Sequence, residues 1–136
     1  MAETELDSAL EVAKANPAQA NFFYDTFLNT AVYIPALAAD KKPGEWMQLQ
    51  PTDRFFPLYL KHEESRAIPV FDRLDRLKTW AGDRAFNYLV LQAHTLIKVI
   101  APEIAIVINE GTPHRYLFLP EILESLRAAA KPVAPN

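Results

Sequence analysis

Residues 67–82 constrain the fold of this chain more than any other stretch, because they combine a short apolar strand with an amphipathic helix. The apolar run at residues 67–71 is typical of a buried strand. It contains Pro69, whose missing N–H group requires a sheet edge, a bulge or a gap in the ladder. The stretch therefore predicts a strand that passes directly into a helix.

The helix in this unit is indicated by its apolar spacing and by both of its ends. Four apolar residues recur on one helical face: Leu74, Leu77, Trp80 and Ala81. Asp72 stands where an N-cap belongs, because its carboxylate can accept an unpaired backbone N–H, and Asp75 places negative charge in the first turn. Gly82 can adopt a left-handed conformation without steric cost, which predicts the end of the helix.

The order of the remaining patterns predicts the fold class. Thr4 and Asp7 mark the start of a first helix, and a second helix and several strands follow. The first of these strands is short, covers residues 31–34 and is expected to end at Pro35. The order of helices, antiparallel strands and strand–helix alternation predicts an α+β fold. We expect a single domain over residues 1–130, with about five α-helices on a mixed, mostly antiparallel β-sheet. Residues 131–136 are expected to form a flexible tail.

Three stretches make the chain resemble the bacterial SseB N-terminal domain family. Val70-Phe71-Asp72, Arg76-Leu77 and Trp80 match the family pattern "vPvFts..RL..w", and residues 6–35 are similar to its opening pattern. Residues 107–112 follow its "hydrophobic-Asn-Pro-Gly-Ser" turn, with Glu110 and Thr112 in place of the usual Pro and Ser. The resemblance covers nearly the whole chain. It implies a cytoplasmic bacterial domain of helices and strands, and it carries no established catalytic mechanism.

Composition and spacing exclude several functional classes. The chain has no cysteine, so thiol catalysis and thiolate metal sites are excluded, and its net charge of -3 argues against nucleic acid. Its three glycines are too widely spaced for a phosphate loop or a dinucleotide fingerprint, so no cofactor is expected. No apolar run approaches the roughly 20 residues of a membrane span, and the acidic amino terminus lacks a signal-peptide core. We therefore expect a cytoplasmic protein that contacts neither a membrane nor nucleic acid.

Candidate catalytic and metal-binding groups are sparse. His62-Glu63-Glu64 lacks the second histidine of a zinc helix, because Arg66 stands at that position, and we predict no metal site. No serine lies in a nucleophile elbow, and we predict no catalytic residue. His94 can be a general base or a helix-surface residue, and His114 is expected to face solvent.

Two turns supply the candidate binding residues. One follows the central strand and contains Asp72, Arg73 and Arg76; the other contains Asn109, Gly111 and Thr112. Loops at strand ends often carry function, and these side chains offer charge and hydrogen bonds. The alternative is that Asn109 and Gly111 only supply unusual backbone angles.

The exclusions and the number of aromatic residues predict a non-catalytic interaction module that binds a protein partner or associates with itself. The 15 aromatic residues are more than one small core needs on its inner face, and aromatic surfaces favour protein contacts. The alternative is a small-molecule sensor or an undetected enzyme with a pocket near Asn109 and Thr112. In that case Asp72, Arg76 and His94 would line the same pocket.

Overall fold

The computed structural model describes residues 4–38, 46–50, 52–62 and 65–130, and within them it confirms the α+β class. The five α-helices are α1 Glu5–Ala15, α2 Ala20–Leu28, α3 Leu74–Ala81, α4 Ala93–Val99 and α5 Pro120–Ala130. The strands are β1 Ala31–Ala38, β2 Met47–Gln48, β3 Phe55–Pro57, β4 Leu60–His62, β5 Ser65–Val70, β6 Asn87–Gln92, β7 Ala105–Ile108 and β8 Tyr116–Phe118. The predicted tail at residues 131–136 and the side chains of Glu63 and Glu64 lie outside the described residues.

The described strands form two mixed sheets. Sheet A has the order β2-β6-β1-β3 and sheet B the order β4-β5-β7-β8, and only the β2–β6 and β5–β7 pairs are parallel. Tyr33 of β1 and Phe71, just after β5, join the sheets through reciprocal backbone hydrogen bonds of 2.7 and 3.0 Å. Residues 55–62 are divided between the sheets, because the chain leaves sheet A at Pro57 and enters sheet B at Leu60.

The prolines in the strands occupy positions that spare the ladders. The prediction that Pro35 ends β1 was wrong, because the strand continues to Ala38. The backbone N–H that Pro35 lacks would lie on the same side of the strand as the N–H of Tyr33, away from β6, so no hydrogen bond to β6 is lost. Pro69 lies in β5 beyond the end of the β4 ladder, which pairs only up to Ala67. Pro57 lies in β3, at the edge of sheet A.

One continuous core lies between the inner faces of the sheets and the helices. Sheet A contributes alternating residues of β1 to this core: Val32, Ile34 and Ala36. Sheet B contributes Ile68 and Ile106. Helices α1, α2, α4 and α5 add apolar side chains to the same core: Leu6, Ala9, Leu10, Phe23, Phe27, Leu96, Ile97, Leu123 and Leu126. Burial of each large apolar side chain contributes about 1.5–3 kcal/mol. The core therefore fixes the relative positions of both sheets and of the turns between them.

Phe118 of β8 lies at the centre of an aromatic cluster within this core. Its ring stacks on Phe27 at a centroid distance of 4.2 Å and on Phe23 at 5.6 Å. Tyr116 contacts Phe118 edge-on at 4.8 Å, and its hydroxyl lies 3.3 Å from that of Tyr24. The cluster therefore joins α2 to sheet B through aromatic contacts of favourable geometry.

Tyr116 provides a pH-dependent test of this packing. Burial, and then the Tyr24 hydroxyl, raise the pKa of Tyr116 from 10.0 to about 12. In the unfolded chain Tyr116 ionises at lower pH, so its contribution to stability is present below pH 10 and is lost as the pH rises towards 12. An ultraviolet titration of tyrosinate should show a late step that Tyr116→Phe removes. Tyr59→Phe is the control and should leave that step in place; an unchanged late step in Tyr116→Phe would contradict the assignment.

Candidate functional site

The turn between β5 and α3 differs from the sequence-based expectation at Asp72. Helix α3 begins at Leu74, its N-cap is Arg73, and no side-chain capping hydrogen bond is present. The prediction that Asp72 caps the helix was wrong because its carboxylate has other partners. One oxygen accepts a hydrogen bond of 2.9 Å from Arg76 Nη1, and the other accepts one of 2.6 Å from the Thr4 hydroxyl.

Arg76 lies at the centre of a buried group of polar side chains, which we call the Arg76 cluster: Thr4, Asp7, Asp72, Arg76, Asn109 and His114. Its guanidinium donates to both carboxylate oxygens of Asp7, from Nη1 at 2.8 Å and from Nη2 at 2.5 Å. Asp7 also accepts from the Thr4 backbone N–H at 3.2 Å, and the Thr4 hydroxyl accepts from the Asp7 N–H. This capping box fixes Asp7 at the start of α1, facing α3.

The second predicted turn contributes Asn109 to the same cluster. Its side-chain oxygen accepts a hydrogen bond of 3.2 Å from the backbone N–H of Asp72. The backbone N–H of Asn109 donates to the Val70 carbonyl at 2.8 Å. The two turns meet because β5 and β7 are parallel neighbours, so both strands end at the same edge of sheet B. Asn109 has a positive φ of 55°, a conformation that asparagine tolerates better than most residues.

Thr112 and Gly111 shape the turn after Asn109. The Thr112 hydroxyl donates to the Asn109 carbonyl at 2.8 Å and accepts from the His114 N–H at 3.1 Å. Gly111 is exposed with a φ of 82°, where a side chain would be strained. The polar groups of this turn therefore serve its backbone conformation. A role of Asn109, Gly111 and Thr112 in ligand binding stays a prediction.

His114 is buried rather than solvent-facing, and that expectation was wrong. Its Nε2 atom lies 3.7 Å from Asp7 Oδ2, so the ring covers the carboxylate that Arg76 binds. Asp7 was recognised from the sequence only as a first-turn acid, and Thr4 only as a cap. Asp7, Arg76 and His114 each stand in a locally polar stretch, far apart in the chain, and sequence spacing alone does not connect them.

Two other candidate residues lie away from this buried group. Arg73 and Asp75 form an ion pair of 2.9 Å in which both side chains are about half exposed. His94 lies on α4, which packs against α2, α5 and β6, and its ring nitrogen is 3.4 Å from the Thr95 hydroxyl of the same helix. The structure thus brings Asp72, Arg76 and Asn109 together, and places Arg73 and His94 elsewhere.

The chemistry of the Arg76 cluster is that of a structural joint. Arginine is suited to bind anions, but here its terminal nitrogens face two carboxylates of the same chain. Across the residues that the structure describes, no group of three or more His, Asp or Glu side chains is placed to hold a metal ion. The cluster therefore fastens α1, α3 and the two turns to one another.

The sequence matches the family model described as the SseB protein N-terminal domain over residues 6–125. The chain belongs to this family. No curated protein and no solved structure matches the sequence of this chain. Among the described helices of this SseB domain, none combines the length and apolar character required to span a bilayer.

A second candidate surface of the SseB domain is the face of sheet A opposite the core, which we call the outer face. The register pairs Leu37 with Phe56 and Tyr33 with Val90, and it places Tyr88 opposite Pro35. Because side chains alternate along a strand, these residues point away from the buried face. Phe56 is 66% exposed and Leu37 43% exposed, while Tyr33, Tyr88 and Val90 are half-buried and Pro35 is buried.

Cations border one end of the outer face. The ring of Trp46 lies 6.4 Å from Tyr88, and the Lys78 ammonium lies 5.5 Å from the centre of Trp46. Arg84 is placed similarly over Phe86, at 5.3 Å. Such contacts hold positive groups against aromatic rings while leaving them accessible to water. The SseB domain therefore presents an aromatic and aliphatic sheet face that is bordered by positive charge.

Proposed function

We propose that this SseB domain is a non-catalytic protein-interaction module of the bacterial cytoplasm and that its outer face binds a protein partner. The observation that carries the proposal is the exposed pair Leu37 and Phe56, adjacent on neighbouring strands of an apolar sheet face. Contiguous exposed apolar surface of this kind is typical of interaction sites, whereas single exposed residues are common on any protein.

The buried state of the Arg76 cluster supports a non-catalytic role. Its guanidinium and carboxylates are bound to one another, and Asp7, Arg76 and His114 are all buried. A catalytic group must reach its substrate at hydrogen-bond distance. The outer face meets the corresponding requirement for binding a macromolecule at Leu37 and Phe56, whose side chains are exposed on adjacent strands.

The charges near the outer face indicate the chemistry of the partner. Lys78 and Arg84 are exposed at one end of it, although the chain as a whole has a net charge of -3. An apolar partner surface with carboxylates along one side would complement this arrangement. Two copies meeting at the same end would bring like charges together, which favours a different protein over a second copy.

Photo-crosslinking tests the proposal directly. Incorporation of p-benzoylphenylalanine at Phe56, in the native host, should yield one dominant crosslinked product that mass spectrometry can identify. The matched control is the same substitution at Phe22, which is 55% exposed on α2 and outside the outer face. We expect no corresponding product at that position. Equal products at both positions, no product at Phe56, or a product consisting only of a second copy would contradict the proposed heterologous contact.

A charge substitution provides the complementary measurement. Phe56→Glu should abolish the crosslink from a reporter at Leu37, because it places a carboxylate in an apolar contact. It should change the free energy of unfolding by less than about 0.5 kcal/mol, because Phe56 is largely exposed. Retained partner binding in a folded Phe56→Glu variant would place the interaction on another surface.

A further inference from the structure

A cavity of about 270 Å³ lies on the opposite, inner side of sheet A. Its walls come from both sheets and from α4, and include Ile34, Leu89 and Leu91 of sheet A, Ile68 of sheet B, and Leu96 and Val99 of α4. Ile34, Ile68, Leu89 and Leu96 are buried, whereas Val99 is 69% exposed. The cavity therefore reaches from the core to the surface beside the end of α4.

The lining and the size of the cavity define the apolar part of a ligand. The side chains around it are aliphatic or aromatic, so water inside would find few hydrogen-bond partners. An engineered cavity of about 150 Å³ with a similar lining stays dry and binds benzene, which has six carbons. By proportion, 270 Å³ has an upper limit of about eleven carbons, so it accommodates an aliphatic chain of roughly eight to ten.

Positive charge lies on the same face of sheet B as the cavity. Arg66 precedes Ile68 by two residues on β5, so both side chains point to the same side of the sheet. The Arg66 guanidinium lies 4.5 Å from the ring centre of Tyr59, which also lines the cavity and is exposed. The cation is therefore placed beside the solvent-exposed part of the cavity wall.

A second cation faces Arg66 directly. Lys61 is its partner in the antiparallel β4–β5 register, and both residues are exposed. Like charges placed directly opposite each other destabilise a strand pair, and an anion between them removes that cost. The pair therefore points to a negatively charged group beside an apolar cavity.

We propose that this cavity binds an aliphatic carboxylate of roughly eight to ten carbons, with its chain against Ile34, Ile68 and Leu89 and its carboxylate at Arg66 and Lys61. The site is separate from the outer face, because it lies on the other side of sheet A. Ligand binding and partner binding can therefore be tested independently.

Calorimetric titration of the whole chain with octanoate, and with 1-octanol as a neutral chain of equal length, tests the proposal. Octanoate should bind saturably and at least about fivefold more tightly than 1-octanol, because only octanoate can pair with the cations. Methyl NMR should show octanoate-dependent shifts at Ile34, Ile68 and Leu89. No saturable binding, equal affinity for the two compounds, or shifts confined to the outer face would overturn the proposal.

Paired variants separate the two parts of the site. Arg66→Gln should weaken octanoate binding about fivefold and leave 1-octanol binding unchanged, whereas Arg84→Gln removes a cation elsewhere and should affect neither. Val99→Trp should obstruct the cavity and weaken both ligands at least about tenfold, while Val12→Trp on α1 should not.

Circular dichroism should show every variant to be folded, and an unchanged octanoate affinity in folded Arg66→Gln or Val99→Trp would contradict the assigned position. The Phe56→Glu variant should bind octanoate with unchanged affinity. Loss of the protein partner in this variant would therefore be distinguishable from loss of octanoate binding at the cavity.

Discussion

Replacement of Arg76 by alanine should lower the free energy of unfolding by about 3–5 kcal/mol, because it leaves buried carboxylates without their cation. The side chains of Asp7 and Asp72 are 0% and 2% exposed, so water cannot replace the guanidinium without opening the structure. The loss should be seen in chemical denaturation as a lower midpoint with little change in slope. Because Arg76 on α3 binds Asp7 of α1 and Asp72 of the preceding turn, hydrogen exchange should also increase in the first turn of α1.

Arg73→Ala is the matched control for this prediction. Arg73 also forms an ion pair with an aspartate, but both side chains of that pair are exposed, and such pairs contribute about 0–1 kcal/mol. The two arginines are three residues apart in the chain, so the comparison isolates burial from residue type. Equal losses for Arg73→Ala and Arg76→Ala would show that the Arg76 cluster is not the structural joint inferred from its geometry.

The local patterns of the strand–helix unit predicted its elements well. The apolar run, the spacing of Leu74 and Leu77 and the position of Gly82 specify β5 and α3 within a few residues. The capping role of Asp72 failed because a distant residue, Thr4, and the helical residue Arg76 bind its carboxylate. A cap prediction considers only the nearby backbone N–H groups as donors to the Asp72 carboxylate. In the folded chain the Thr4 hydroxyl and the Arg76 guanidinium bind this carboxylate instead.

The pairing of strands was less accessible from the sequence than their existence. Pro35 lies inside β1, because the strand needs its full set of hydrogen bonds only on the side of β6. Division of the strands between two sheets depends on the crossing at residues 57–60 and on the bridge between Tyr33 and Phe71. Both features are long-range arrangements that strand periodicity does not encode.

The candidate site was predictable only in part, because its residues are brought together by long-range strand pairing. Asn109 and Asp72 were selected as strand-end residues, and the parallel β5–β7 pair brings them into contact. His114 and Asp7 were missed as partners because they lie far apart in the chain and each has a common local explanation. An abundance of aromatic residues was visible in the sequence, but the strand register was needed to assign Phe56 and Tyr88 to the outer face.

Replacement of Phe118 by alanine should cost about 3–5 kcal/mol, comparable to the loss of Arg76 but of different physical origin. Phe118 is fully buried and stacks on Phe23 and Phe27, so truncation removes apolar contacts and leaves a cavity between α2 and sheet B. The cost should persist at high ionic strength, whereas ion-pair contributions near the surface weaken in salt. Denaturant unfolding at low and high salt measures this difference.

Phe22→Ala is the matched control for Phe118→Ala, because the same side chain is removed from the exposed surface of α2. Phe22 is 55% exposed, so its truncation should change the free energy of unfolding by no more than about 0.5 kcal/mol. A loss below about 1 kcal/mol for Phe118→Ala would mean that neighbouring side chains close the cavity. Such an outcome would contradict the central position assigned to Phe118, whose ring stacks on both Phe23 and Phe27 of α2.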